Sequence, residues 1–175
     1  KADGTEWRTV VRPGNKYLSG SLLSDGAGFM WGVSKGDAYT WGNGDHHGHV
    51  YKLDVQSGEM STVVQFTGAG GSVPGANPFA GLVKDSAGFL WGTTRMGGSG
   101  DYGTVFWINP GDGTVTTIAQ FTGKTGSTKG AHPIGSMVNN GAGALVGTTT
   151  SGGAFDAGTV FKVDAATGVL TTLVE

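Results

Sequence analysis

The stretch GFLWGTTRMGGSGDYGTVFWIN, residues 88–109, decides the fold of this protein. It holds two short runs, FLWGTT and TVFWI, that are rich in aromatic and β-branched residues. Such runs favour β-strands, and the glycine-rich segment between them is typical of a loop. The second run is apolar at every position from Val105 to Ile108, so both faces of its strand should be covered. The stretch therefore predicts two neighbouring strands of a sheet that is packed on both sides.

The same stretch occurs three times along the chain. The copies of its first run are GFMWG (28–32), GFLWG (88–92) and GALVG (143–147). The copies of its second run are GHVYKLD (48–54), GTVFWIN (103–109) and GTVFKVD (158–164). The copies lie about 55 residues apart, and copy one carries a five-residue insertion between Gly32 and Gly48. Each copy contains four strand-like runs separated by glycine-rich turns, in keeping with 35 glycines among 175 residues. Four-stranded units at such a period are typical of the blades of a β-propeller.

The repeat resembles the Gloeo/Verruco (GloVer) tandem repeat. The likeness is carried by the pattern G-x-L-W-G-T-T, then G-G, then G-T-V-F-K and T-T-L, and it covers nearly the whole chain. The resemblance implies an exported or surface-anchored repeat array. It implies no particular chemistry.

These repeats predict an all-β fold, a β-propeller-type array of four-stranded antiparallel blades in a single domain. The domain is expected to span residues 1–175, with blades at 17–66, 79–121 and 134–175. EWRTVV near the N-terminus resembles EMSTVV of copy one, so residues 5–11 are predicted to form an orphan outer strand of a further blade. Propellers close with about four to eight blades. Three blades therefore predict an incomplete ring, unless they belong to a longer chain or to an oligomer.

The composition excludes several classes of function. The net charge is −2 and only 14% of the residues are charged, which argues against nucleic acid as a partner. No apolar run approaches the roughly 20 residues of a membrane helix, so no membrane insertion is predicted. The chain has no cysteine and no phosphate-binding or dinucleotide-binding motif, and no cofactor is predicted. Because the first residue is Lys1, the chain is expected to be processed or excised from something longer.

The order of strands in a blade separates its loops into two ends. Loops after strands one and three lie at one end and are tight turns, whereas loops after strands two and four lie at the other end and are long. The long loops are 33–47, 67–78, 95–102, 122–133 and 150–157. Binding residues concentrate on long loops held by a rigid scaffold. This end, called the long-loop face below, is therefore predicted to be the working face.

Three of the four histidines lie in DHHGHVYKLD, residues 45–54. The repeat period aligns His46, His47 and His49 with three unlike residues of copy two, namely Asp101, Tyr102 and Thr104, so the cluster is three separate substitutions in one template. His49 is expected at the edge of the core between blades. Three interpretations stay open: hydrogen-bonded loop and edge histidines, a site for ligand binding or proton transfer, and a metal site formed by His47 and His49. No second cluster of metal ligands accompanies them, which favours the first interpretation.

The insertion in copy one adds aromatic residues to the long-loop face. Tyr39 and Trp41 stand among amides and carboxylates, a combination that suits sugar rings. Alternatively, Trp41 folds back over the underside of its own loop. Basic residues on neighbouring loops suit an acidic sugar, although scattered solvated charges explain them equally well; they are Arg95, Lys124, Lys129 and His132. The predicted ligand-binding residues are Lys35, Tyr39, Trp41, Asp45, His46, His47, Arg95 and Asp101.

Other prominent residues fit the strand and turn template. Trp31 and Trp91 occupy the same strand position and are predicted to lie in the core. Asp101 and Asp156 precede the glycine that starts strand three, where an aspartate side chain bonds the amides of its own turn. These four residues are therefore interpreted mainly as structural.

Taken with the resemblance, these features predict a non-catalytic extracellular or cell-surface repeat module. It is expected to bind a glycan or a protein at the long-loop face, or to assemble with itself through open blade faces. The expected partners are a glycan or protein ligand, together with further copies in a homo-oligomer or the remainder of a longer chain. The enzymatic alternative is a polysaccharide lyase or hydrolase that uses Tyr39, His46 and His47 as acid and base, with Arg95 or Lys35 neutralising a uronate.

Overall fold

The computed structural model describes residues 17–36 and 47–175. These residues form twelve β-strands and no helix. The predicted orphan strand at 5–11 lies outside the described residues. So do four of the predicted site residues, Tyr39, Trp41, Asp45 and His46.

The strands form three four-stranded antiparallel sheets, each a simple meander in chain order. Blade one contains β1 (Leu18–Ser24), β2 (Phe29–Ser34), β3 (His49–Asp54) and β4 (Met60–Gln65). Blade two contains β5 (Val83–Lys84), β6 (Leu90–Thr94), β7 (Thr104–Ile108) and β8 (Val115–Gln120). Blade three contains β9 (Val138–Asn139), β10 (Ala144–Thr149), β11 (Thr159–Asp164) and β12 (Leu170–Val174). The predicted all-β array of four-stranded blades is confirmed.

A glycine faces an aromatic ring at the same place in every blade. The cross-strand pairs are Gly32 with Tyr51, Gly92 with Phe106, and Gly147 with Phe161. A Cβ atom on Gly92 would lie 2.5 Å from Cζ of Phe106, and one on Gly147 would lie 2.5 Å from Cζ of Phe161. None of the three glycines has a positive φ, so the requirement for glycine is one of space. This contact explains why the two glycine-flanked motifs recur together in the sequence.

The hydrophobic core lies between successive blades. One cluster joins blades one and two, and its fully buried members include Trp31, Val50, Leu90 and Phe106. The second joins blades two and three, with Trp91, Val105, Leu145, Phe161 and Val163 among its members. Trp31 and Trp91 are 1% and 2% exposed, so their predicted place in the core is confirmed.

An aromatic residue just after the fourth strand ties each blade to the next. Phe66 packs edge-on against Phe106 of blade two, with 5.0 Å between ring centroids. Phe121 packs in the same way against Phe161 of blade three, at 5.1 Å. Each junction therefore contains the same pair of rings, and the blades stack with a fixed geometry.

An aspartate in the first turn of blade two holds the core tryptophan. Asp85 Oδ1 accepts hydrogen bonds from the amides of Ala87 and Phe89, and Oδ2 accepts one from Nε1 of Trp91 at 2.7 Å. In blade one, Asp25 and Trp31 form the same bond at 3.0 Å.

Blade three changes both members of this pair. Asn140 takes the aspartate position and accepts hydrogen bonds from the amides of Ala142 and Ala144. Val146 takes the tryptophan position and has no side-chain N–H to donate. The two positions therefore change together, as expected of a hydrogen-bonded pair.

Candidate functional site on the long-loop face

Backbone bridges join the long loops of neighbouring blades. The loop after β8 folds on itself through a bridge between Gly123 and Gly130, and Ala131 then bridges Ser151 in the loop after β10. The junction of blades one and two repeats this arrangement with Gly68 and Gly75, and with Ala76 and Met96. The long loops therefore share one end of the blades, as the strand order predicts.

A cleft of about 440 Å³ opens on this face between blades two and three. Seven of the eight side chains that line it carry a polar group, and they come from three loops. The side chains that line it are Tyr102, Thr122, Lys124, Thr125, Ala131, His132, Ser151 and Asp156. Loops of two blades thus converge on one polar recess.

Tyr102 supplies the aromatic surface of the cleft. Its ring lies so close to Gly123 that a Cβ atom there would be 2.9 Å from Cζ of the tyrosine. The ring meets His132 edge-on at 6.4 Å between centroids, and the carbonyl of Tyr102 accepts a hydrogen bond from the amide of His132 at 2.9 Å. Tyr102 remains 38% exposed. A fixed and partly exposed aromatic ring is therefore present in the cleft.

A lysine and an aspartate form an open ion pair in the cleft. Nζ of Lys124 lies 3.2 Å from Oδ2 of Asp156, and the two side chains are 61% and 49% exposed. Oδ1 of Asp156 accepts a hydrogen bond from the amide of Gly152 at 2.8 Å. That amide and then the Lys124 ammonium lower the pKa of Asp156, with a further contribution from the charge of His132. Because both side chains are about half exposed, the outer oxygen of Asp156 and the ammonium can be reached by a ligand.

The predicted turn role of the two aspartates is confirmed. Asp101 accepts a hydrogen bond from the amide of Gly97 at 2.7 Å, just as Asp156 does from Gly152. Both aspartates have a left-handed backbone, with φ of 58° and 59°. Each therefore fixes the loop that precedes the third strand of its blade.

His132 and Ser151 complete one wall of the cleft. Nδ1 of His132 lies 2.9 Å from the hydroxyl of Ser151, and the carbonyl of His132 accepts a hydrogen bond from Thr150 Oγ1. The imidazole is thus held by its neighbours. Hydroxyl, imidazole, ammonium and carboxylate groups all line the same recess.

One exposed aromatic residue beside the cleft carries no distinctive sequence pattern. Phe155 is 82% exposed and precedes Asp156 in the loop after β10. Tyr102 was also missed, because it appeared only as the counterpart of His47 in the repeat. Their position in the sequence could have indicated them, because both residues lie on long loops directly beside the turn aspartates, Asp101 and Asp156.

Lys124 and His132, two of the basic residues that the sequence suggested for an acidic sugar, line this cleft. The described members of the predicted ligand-binding set, Lys35, His47, Arg95 and Asp101, lie outside its lining. Nζ of Lys35 lies 5.7 Å from the ring centroids of both Tyr17 and Phe79. Arg95 is exposed, and its amide bonds the carbonyl of Asn77 at 3.0 Å.

His47 belongs to the junction of blades one and two. Its carbonyl accepts a hydrogen bond from the amide of Asn77 at 2.8 Å, and its ring packs against Gly68 as Tyr102 packs against Gly123. The repeat alignment of His47 with Tyr102 is therefore confirmed. The role of His47 in ligand binding stays a prediction.

His49 is buried in blade one, with 3% of its surface exposed. It pairs across the sheet with Ser34, and its ring meets Tyr51 edge-on at 6.3 Å. Blade two has Thr94 and Thr104 at these places, and their hydroxyls lie 2.8 Å apart. The predicted location at the edge of the core is confirmed. Across residues 17–36 and 47–175 no three His, Cys, Asp or Glu residues are grouped to hold a metal ion.

The acid and base proposed for an enzyme include Tyr39 and His46, which the structure does not describe. That alternative stays a prediction. Within the described part of the chain, no helix is long and apolar enough to cross a membrane.

Stacked four-stranded blades with a polar cleft at a blade junction define a propeller-type repeat module. The chain belongs to the Gloeobacter/Verrucomicrobia repeat family, which matches residues 9–175. The resemblance seen in the sequence is thereby confirmed. Comparison with curated proteins gives no match.

Several solved structures are similar to the chain. TolB from Acinetobacter baumannii is 15% identical, with 88% of this chain and 32% of that chain covered and a TM-score of 0.46. A putative TolB from Agrobacterium tumefaciens is 13% identical, with coverage of 93% and 50% and a TM-score of 0.52. A putative 6-phosphogluconolactonase from Bacteroides fragilis is 18% identical, with coverage of 86% and 36% and a TM-score of 0.48. The chain thus spans between about a third and a half of these structures, and the likeness shows the fold alone.

Acid is expected to loosen the loop that carries Asp156. Because the folded state lowers the pKa of this carboxyl below its ordinary value of 3.8, its interactions stabilise the protein above that pH. They are lost as the pH falls through the lowered pKa. Between pH 7 and pH 2.5, the thermal unfolding midpoint of Asp156→Asn should therefore fall by less than that of the unmodified protein. An equal fall in both would show that other carboxylates carry the acid sensitivity.

Proposed function

We propose that the protein is a non-catalytic, exported repeat module that binds a carbohydrate in the cleft between blades two and three. The observation that carries the proposal is the exposed ring of Tyr102, fixed against Gly123 beside the pair of Lys124 and Asp156. The C–H faces of sugars stack on aromatic rings, while their hydroxyl groups need donors and acceptors nearby. Export is supported by the resemblance to exported repeat arrays.

The cleft suits a sugar better than a protein surface. Its volume of about 440 Å³ falls within the range of small-molecule sites, about 300 to 1,000 Å³. Protein interfaces usually depend on apolar or arginine anchors in desolvated pockets. The cleft has hydroxyl groups and one exposed ion pair instead, so its chemistry matches a ligand rich in hydroxyls. A protein ligand is the alternative.

Titration with oligosaccharides tests the proposal. The ¹⁵N-labelled protein is titrated with hexasaccharides of glucose, xylose and galacturonic acid, and amide shifts are followed. We expect at least one of them to shift the amides of Tyr102, Lys124 and His132 together. Loss of a stacked ring costs about 1 to 1.5 kcal/mol, so Tyr102→Ala should weaken that binding about tenfold.

An exposed tyrosine outside the cleft provides the matched control. Tyr17 is 48% exposed and does not line the cleft, so Tyr17→Ala should bind as the unmodified protein does. Equal weakening in both variants would contradict a site at Tyr102. Absence of saturable shifts with every oligosaccharide would contradict carbohydrate binding.

A further inference from the structure

The junction of blades one and two repeats the framework that holds the cleft. The amide of Gly98 donates a hydrogen bond to the carbonyl of Gly68 at 3.1 Å, just as the amide of Gly153 donates to the carbonyl of Gly123 at 3.1 Å. Both junctions also carry the same pair of backbone bridges. The same loop surfaces are therefore brought together at both junctions.

Side chains at equivalent positions make equivalent contacts in the two junctions. Asn77 and His132 occupy the same place, and both have a left-handed backbone, with φ of 52° and 57°. Nδ2 of Asn77 donates a hydrogen bond to Sδ of Met96 at 3.3 Å, and Nδ1 of His132 lies 2.9 Å from the hydroxyl of Ser151. The first junction thus has a wall of the same construction as the cleft, with an amide in place of the imidazole.

An imidazole takes the place that the tyrosine ring has in the cleft. A Cβ atom on Gly68 would lie 2.7 Å from Cε1 of His47, so this ring is fixed against its glycine as Tyr102 is. His47 is half-buried, so part of the ring is open to solvent. An imidazole combines a flat apolar body with nitrogens that can bond a hydroxyl group. It can therefore both stack on a sugar and bond to it.

An aspartate completes the first junction as Asp156 completes the cleft. One oxygen of Asp101 accepts the amide of Gly97 at 2.7 Å, and the side chain is exposed. The position of Lys124 is held by Ala69, so the ammonium of the cleft has no counterpart here. Across residues 17–36 and 47–175, Asp101 forms no ion pair. Its outer oxygen is therefore available to hydroxyl donors, and hydrogen bonds to a charged acceptor are the stronger kind.

We infer that the junction of blades one and two is a second subsite for the same polysaccharide, in which His47 takes the role of Tyr102 and Asp101 that of Asp156. The inference rests on the proposed function, because the ligand class is the same. Sheets stacked face to face lie about 10 Å apart, so an oligosaccharide of several units can reach from one junction to the next. A chain held at both junctions gains affinity through the linkage of the two contacts.

Titration with saccharides of two lengths tests the inference. The ¹⁵N-labelled protein is titrated with the disaccharide and the hexasaccharide of glucose, of xylose and of galacturonic acid. The hexasaccharide that shifts the amide of Tyr102 is expected to shift those of His47, Asn77 and Asp101 as well. It should also bind about 100-fold more tightly than its own disaccharide.

A conservative change at Asp101 removes its charge without breaking its turn. Asp101→Asn keeps an acceptor for the amide of Gly97, and asparagine tolerates the left-handed backbone at this position. This variant should bind the hexasaccharide about tenfold more weakly, with the disaccharide shift of the Tyr102 amide unchanged. Asp112 gives the matched control, since it is exposed in a tight turn at the other end of blade two and accepts the amide of Thr114 at 2.8 Å. Asp112→Asn should bind both saccharides as the unmodified protein does.

An exchange of ring types tests whether the sugar lies on His47. His47→Tyr gives the first junction the ring that the cleft already has, so it should tighten hexasaccharide binding about three- to tenfold. Binding no tighter than that of the unmodified protein would contradict a sugar stacked on this ring.

The outcomes separate this inference from the proposed function. If saturation shifts the amide of Tyr102 but not those of His47, Asn77 and Asp101, the second subsite is overturned and carbohydrate binding in the cleft stands. Equal hexasaccharide affinity in Asp101→Asn and Asp112→Asn would have the same meaning. Absence of saturable shifts with every saccharide would overturn the subsite and the proposed function together.

Discussion

Gly92→Ala is expected to lower the free energy of unfolding by about 2 to 3 kcal/mol. The added Cβ atom would lie 2.5 Å from Cζ of Phe106 and 2.8 Å from Cδ2 of Leu82. The ring of Phe106 cannot move aside, because it is fully buried and packs edge-on against Phe66. Urea denaturation followed by tryptophan fluorescence gives the midpoint and the slope. A lower midpoint at an unchanged slope is the expected result.

Gly70 offers the matched control for this change. A Cβ atom at Gly70 meets nothing within 4 Å, and its φ is not positive. Gly70→Ala should therefore alter stability by less than about 0.5 kcal/mol. Adding Phe106→Leu to Gly92→Ala removes the far end of the ring and should recover part of the loss. If Gly92→Ala were as stable as Gly70→Ala, the contact between glycine and ring would not explain the repeated motif.

Several elements of the fold could be predicted from the sequence because they repeat. The period of about 55 residues places the paired glycine and aromatic ring of each blade three times, so each copy supports the others. Trp31 and Trp91 illustrate this, since their shared strand position predicted their burial. The turn role of Asp101 and Asp156 followed in the same way.

The candidate site was harder to predict because loop pairing leaves no periodic pattern. The bridge between Gly123 and Gly130 joins glycines, which carry no side-chain signal for strand pairing. That bridge and the next, between Ala131 and Ser151, bring Tyr102 and His132 to one recess. The sequence pattern instead favoured the enlarged loop of copy one, where unusual residues are most concentrated. Strand order and loop length predicted the long-loop face, and tertiary pairing placed the cleft on it.

The bulge in each blade was also beyond sequence reasoning. The ladder between the third and fourth strands shifts register at Val50 and Tyr51, and again at Val105 and Phe106. The third blade repeats the shift. No residue type marks these positions, because the extra residue lies in the fourth strand and keeps an ordinary β-strand composition. Bulges of this kind bend an edge strand and limit its pairing with other chains.

The bond between Asp85 and Trp91 left a signal that comparison of the copies reveals. The two positions hold Asp and Trp in copies one and two and Asn and Val in copy three. A carboxylate has a second oxygen for the indole N–H, whereas an amide offers only one acceptor. Joint change at the two positions is what that difference in acceptors predicts.

Asp85→Ala is therefore expected to destabilise the protein by about 3 kcal/mol or more, since three donors lose their acceptor. They are the amides of Ala87 and Phe89 and the indole N–H of Trp91, and Asp85 itself is only 8% exposed. Asn140→Ala in blade three removes an acceptor from the amides of Ala142 and Ala144 and from no indole, so it should cost about 1 kcal/mol. Urea denaturation of both variants measures the difference.

A double-mutant cycle isolates the bond to the indole. Asp85→Asn keeps an acceptor oxygen for the two amides. It replaces the oxygen that faces Nε1 of Trp91 with an NH₂ group, which cannot accept the indole hydrogen bond. In a Trp91→Phe background no indole N–H remains, so Asp85→Asn should cost about 1 to 2 kcal/mol less there than in the unmodified protein. An equal cost in both backgrounds would show that Asp85 acts only through its own turn. A coupling free energy of about 1 to 2 kcal/mol between the two changes would instead confirm that this one hydrogen bond links the first turn of the blade to the core between blades.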